Sequence, residues 1–107
     1  MDDSTSMRVL EVGSASLVVT LAGFVGASWA EALEAELGRS GRKRVIVDLL
    51  DATDVDGEVQ SVLIRHAERS PLTVVAGPRL LHVFELTRRS RSLRLGRSLW
   101  EAVAAAG

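Results

Sequence analysis

The residues of this chain best equipped for chemistry crowd into one stretch. Between Asp48 and Glu58 stand five carboxylates, Asp48, Asp51, Asp54, Asp56 and Glu58, with no lysine or arginine among them. Such a cluster could hold a hard cation. The cation reading fails on spacing. With Gly57 as the sixth position of an EF-hand loop, the first falls on Ala52 and the twelfth on Leu63, so two oxygen ligands are missing. His66 and His82 stand alone, without an E-x-x-H or triad-like neighbour, and read as semi-buried structural histidines. The absence of cysteine removes thiol nucleophiles, disulfides and cysteine-ligated metals together. Arg79, Arg88, Arg89, Arg91, Arg94 and Arg97 face only Glu85, without interleaved aromatics. That segment reads as a solvated basic patch, with nucleotide, nucleic-acid or acidic-lipid contact as the alternative. Gly23 and Gly26 lack a phosphate-loop frame. No base, nucleophile and metal set shares a turn, so the expectation is a non-enzyme with no catalytic, cofactor or metal residues.

The acidic stretch must be positioned by its neighbours. Val45, Ile46, Val47 and Leu49 form a nearly continuous apolar run suited to a strand buried on both faces. From Gly57 onward, Val59, Val62, Leu63 and His66/Ala67 fall at helical spacing, which predicts an amphipathic helix ending near Pro71. Strand, exposed turn and helix form an arrangement that often carries function. Asp56 is placed as the helix N-cap and Glu58 in the first turn, where the N–H groups and helix dipole favour an anion.

The remaining chain supplies the support. Met7–Val12 and Ser16–Leu21 predict a hairpin turned at Gly13, the first strand an edge carrying Arg8 and Glu11. Ser28, with Glu31 three residues on, predicts a capping box for a helix with Trp29, Leu33 and Leu37 inward and Gly38 near its end. Leu72–Ala76 reads as a buried strand, and Pro78 opens a helix with Leu80, Val83, Phe84 and Thr87 on one face. Ser92–Leu95 reads as a short edge strand, and Ser98 with Glu101 caps a last helix.

At 107 residues the chain is predicted to be one domain, residues 7–107, after a flexible N-terminus, residues 1–6. A charged fraction of 25% leaves no window apolar enough to cross a membrane, and the opening MDDSTSM shows no secretory pattern. A formal charge of −1 gives no pointer to nucleic acid. Neither nucleic-acid binding nor direct membrane insertion is expected.

With the elements in order, four landmarks resemble the STAS domain family shared by anti-sigma factor antagonists and sulfate-transporter tails. Leu21-Ala22-Gly23 stands at the family's L-x-G. Val47-Asp48-Leu49 with Thr53 and Val55-Asp56 is similar to V-D-L-x-x-V-T-x-I-D. Gly77-Pro78 with Phe84-Glu85-Leu86-Thr87 is similar to the G-x-S-P and L-E-L-T segment, and Ser98–Val103 resembles the closing S-L-E-E-A-L. Together these cover about residues 8–105. The resemblance implies an α/β fold, a mixed four- to five-stranded sheet with helices packed mainly on one face.

It also implies a cytoplasmic bacterial regulator acting in transcription by partner switching. Its partner would be a kinase-type anti-sigma factor that phosphorylates a serine in the turn D-S-S-G. Here that turn reads Asp56-Gly57-Glu58-Val59, so Glu58 occupies the acceptor position and no phosphoacceptor is assigned. The G-E-x-D loop is likewise replaced by Gly23-Phe24-Val25-Gly26. The expected partner-binding residues are Asp54, Asp56, Gly57, Glu58, Gln60 and Ser61, on a monomer or weak homodimer. Glu58 is either a helix-start residue or a fixed, partial mimic of phosphoserine. The alternatives are a soluble STAS accessory subunit of a lipid or anion transporter, and a nucleotide- or ligand-sensing STAS domain.

Overall fold

In the computed structural model, the described residues are 5–41, 43–87 and 93–106. Residues 1–4, and Arg88, Arg89 and Arg91 of the basic segment, lie outside them. The chain begins with a hairpin, β1 (Ser6–Val12) and β2 (Ser16–Val25). Gly13, at φ 66°, makes the left-handed step between them. A single 3₁₀ turn (Ala27–Trp29) leads into α1 (Ala30–Arg39), followed by β3 (Arg44–Asp48), β4 (Ala52–Val55) and α2 (Gly57–Ala67). The last elements are β5 (Leu72–Val75), α3 (Pro78–Thr87), β6 (Leu93–Gly96) and α4 (Leu99–Ala106).

The sheet runs β1-β2-β3-β5-β6, with β4 attached to β2 outside that path. Only the β1–β2 pairing is antiparallel; β2, β3, β5 and β6 run parallel. In β3, Val45 and Val47 enter a large core under α1, α2 and α3, whereas Ile46 enters a smaller one on the opposite face. The unbroken apolar run in the sequence is therefore the mark of a strand covered on both sides. Leu33 and Leu37 of α1, Val59, Val62 and Leu63 of α2, and Leu80 and Phe84 of α3 fill the large core. The small core joins Val18, Ile46 and Val75 to Leu99, Ala102 and Val103 of α4. Three helices on one face and one on the other agree with the expected arrangement.

The strand count needs correction: among the described residues the sheet has six strands, not four or five. The added strand, β4, comes from the stretch read as an acidic loop. Its own sequence, ATDV, is four residues long and half polar, and it is a strand because β2 continues past β3 and offers it a partner. Gly23, at φ 83°, lies where the register shifts by a residue and β2 changes partner from β3 to β4. Two helix boundaries also differ. Ser28 lies within the 3₁₀ turn and makes no cap, α1 starting at Ala30 without a side-chain cap. Gly38 stays helical. The left-handed residue is Gly41, at φ 62°, after the buried Ser40 hydroxyl has donated to the Leu37 carbonyl at 2.6 Å.

Candidate docking surface

The site is built from the carboxyl end of β3. Asp48 is nearly buried, and its Oδ1 accepts from the Leu50 N–H at 3.0 Å, which turns the chain immediately after the strand. The Ala52 N–H donates to the Leu49 carbonyl at 3.1 Å and the Gly23 N–H to the Asp51 carbonyl at 3.1 Å, delivering the chain to β4. Beyond β4, the Asp56 N–H donates to the Val25 carbonyl at 2.9 Å. The end of β2 is thus bonded to both ends of the acidic segment.

Asp56 then starts α2. Its backbone is extended (φ −65°, ψ 152°), and its Oδ1 accepts from the Glu58 N–H at 2.9 Å. This is the N-cap arrangement, a contribution of about 1 kcal/mol. Gly57 is the first helical residue, open to solvent, with nothing within 4 Å of where a Cβ would stand. Glu58 follows, exposed, at the positive end of the helix. Asp54 and Ser61 are exposed too, and the Asp54 Oδ1 accepts from the Val55 N–H at 2.9 Å.

Of the expected docking residues, Asp54, Asp56, Gly57, Glu58 and Ser61 stand around the start of α2. Gln60 differs. Its amide turns inward and donates from Nε2 to the Val55 carbonyl at 3.0 Å, tying the helix to β4.

Three features come from elements distant in sequence. Phe24, on β2 opposite Asp54, is 54% exposed, an unusual position for a phenyl ring, and Leu50 is exposed beside the same turn. The guanidinium of Arg79, at the start of α3, donates to the Thr53 carbonyl. The third is a groove of about 450 Å³ between α1 and α2, lined by Glu31, Glu34, Glu58, Ser61 and Arg65. Arg65, the only basic side chain lining it among the described residues, lies 3.7 Å from the Glu34 carboxylate. An exposed aromatic beside an acidic rim is suited to recognising a protein surface with an apolar pocket and basic surroundings. The sequence carried one signal of the ring: Phe24 interrupts a glycine-flanked turn, GFVG, where no core spacing demands an aromatic.

The two histidines part company. His66 is buried on α2, its Nε2 without a hydrogen-bond partner, and burial, aided by the Arg69 charge, holds its pKa below the ordinary imidazole value. His82 is exposed on α3, not semi-buried as expected, because it falls on the solvent side of that helix. The arginines also separate. Arg79 serves the docking end, whereas Arg94 lies on β6 beside α4. No group of three or more His, Cys, Asp or Glu side chains among the described residues could hold a metal ion.

No family model and no curated protein matches the sequence. Solved structures do match. An anti-sigma factor antagonist from Mycobacterium paratuberculosis superposes with a TM-score of 0.82 at 22% identity, over 96% of this chain and 94% of that one. The anti-sigma factor antagonist SpoIIAA in its unphosphorylated form matches with a TM-score of 0.72 at 14% identity, over 94% and 96% of the two chains. The Bacillus cell fate determinant SpoIIAA in its phosphorylated form matches at 0.70 and 15%, over 95% and 100%. At such identities the likeness establishes the fold. This chain has the STAS fold of the anti-sigma factor antagonists, as its sequence landmarks implied.

Proposed function

We propose that this protein is a non-catalytic regulatory binding module of the anti-sigma factor antagonist type. Its partner is a kinase-type anti-sigma factor, met by the turn Asp54–Glu58, the exposed face of α2 at Ser61, and Phe24. One observation carries the reading: on a fold shared with anti-sigma factor antagonists, the start of α2 projects a capped, solvent-facing carboxylate, Glu58. That carboxylate stands where the resemblance puts a phosphorylated serine. A glutamate carries one charge and two planar oxygens, against roughly −1.5 to −2 and three oxygens for phosphoserine. Glu58 therefore sets a standing intermediate affinity that no kinase switches at this position.

The test is calorimetric titration of an ATP-binding anti-sigma factor encoded beside this protein with the wild type, Glu58→Ser and Phe24→Ala. Glu58→Ser is expected to tighten binding and create a phosphorylation site. Phe24→Ala is expected to weaken binding by about tenfold or more, as loss of an interface anchor does. Absence of binding by both wild type and Glu58→Ser counts against the reading, and so does kinase-dependent phosphorylation of the wild type at Thr53 or Ser61.

A further inference from the structure

On the face opposite the large core, α4 does not seal against the sheet. A cavity of about 240 Å³ remains beneath it. That is far more than the roughly 10–15 Å³ that admits one water and just below the ~300–1,000 Å³ of drug-sized ligand sites, so it is sized for a small metabolite. The residues that leave the space are small: Gly96 ends β6, and Ala102 stands above it on α4. A Cβ on Gly96 would touch Val75 and Thr73 at 3.8 and 3.9 Å, ordinary contact distances.

The polar groups around this space form a complementary set. Exposed Arg44, at the start of β3, and exposed Arg94, on β6, border the space; Thr73 lines it from β5, and Ser98 and Glu101 from the start of α4. Neither arginine is paired with a carboxylate among the described residues. The Ser98 Oγ accepts from the Glu101 N–H at 3.3 Å, fixing the first turn of α4 at the cavity mouth. Two guanidiniums match the oxygens of a dianion, with hydroxyls at hand as further donors, while a carboxylate would repel a second anionic group and accept from a hydroxyl.

We propose that this cavity binds a small polyol phosphomonoester. Its phosphate lies between Arg44 and Arg94, its carbon body against Ile46 and Ala102, and one of its hydroxyls donates to Glu101. The site is separate from the docking surface. Arg44 opens β3, whereas the docking turn follows the carboxyl end of that strand. A bound ligand would join α4 to β3 and β6.

The experiment is an amide-resolved NMR titration of the full chain with ribose 5-phosphate, with ribose and inorganic phosphate as separate arms. Saturable shifts are expected at Thr73, Gly96 and Ala102, none with ribose, and weaker binding with inorganic phosphate. Arg44→Ala and Arg94→Ala are each expected to weaken binding about tenfold, the scale of a charge-assisted contact. Ala102→Leu, whose fold the same spectra check, is expected to abolish it. Glu101→Gln is expected to narrow the preference for ribose 5-phosphate over inorganic phosphate. The proposal is overturned by non-saturable shifts, by shifts centred away from the cavity, by unchanged affinity in both arginine variants, or by inorganic phosphate binding as tightly as the ester.

Discussion

His66 is a buried base whose neutral form the native state prefers. In the unfolded chain its pKa returns to about 6.5, so over the interval between the depressed native value and ~6.5 the unfolded state binds more protons. The sign follows: stability is fully present above the unfolded pKa and declines as pH falls below it. Denaturant midpoints measured between neutral and mildly acidic pH are expected to drop for the wild type and to drop less for His66→Leu. Parallel curves for the two proteins would rule this origin out. Asp48 illustrates a different use of a nearly buried polar group. Its carboxylate is occupied in turning the chain at Leu50, so of the five acids in the cluster Asp48 shapes the turn, Asp56 caps α2, and Asp51, Asp54 and Glu58 stand exposed.

At the scale of elements, the proposed docking surface depends on Gly23. It adopts a left-handed backbone at the shift that transfers β2 from β3 to β4. A side chain there is strained by roughly 1–2 kcal/mol. Gly23→Ala is therefore expected to lower stability by about that amount, read from the denaturant midpoint. It is also expected to weaken partner binding beyond what Gly57→Ala does, since Gly57 has helical backbone and open space around its Cβ position. Equal effects from the two variants would contradict this role.

The same element shows what can be read from local pattern. Doubly covered β3 and amphipathic α2 were legible because their signals are periodic and contained in their own residues. Asp56 as a cap and Glu58 as an exposed first-turn acid followed from those two boundaries. β4 was not legible, because four residues, two of them polar, become a strand only through pairing with a segment about thirty positions away. Gln60 looked like a surface residue for the same reason: its partner, the Val55 carbonyl, is in place only once β4 has formed. The acidic groove wall at Glu31 and Glu34 needed the packing of α1 on α2, which no local spacing announces.

Over the whole molecule the formal charge of −1 conceals a separation. Exposed Asp54, Glu58 and the acids of the α1–α2 groove gather around the carboxyl ends of β2 and β3, whereas Arg44 and Arg94 border the cavity under α4. The two proposals follow this separation, a partner with a basic face at the first region and an anionic small molecule at the second. No helix among the described residues is long and apolar enough to cross a membrane.

The longest strand among the described residues, β2, bonds to β1, β3 and β4, whereas β6 holds on through four ladder positions and Leu93 in the large core, and α4 through the small second core. Bonding spread so unevenly implies cooperative units that open at different free energies. In native-state hydrogen exchange, the amides of β2 and β3 are expected to exchange only through global unfolding, and those of β6 and α4 through a cheaper opening that releases them together. Equal protection throughout the sheet would refute that order. If it holds, this protein carries a detachable final strand and helix, able to lift from the sheet while the surface around Glu58 stays folded.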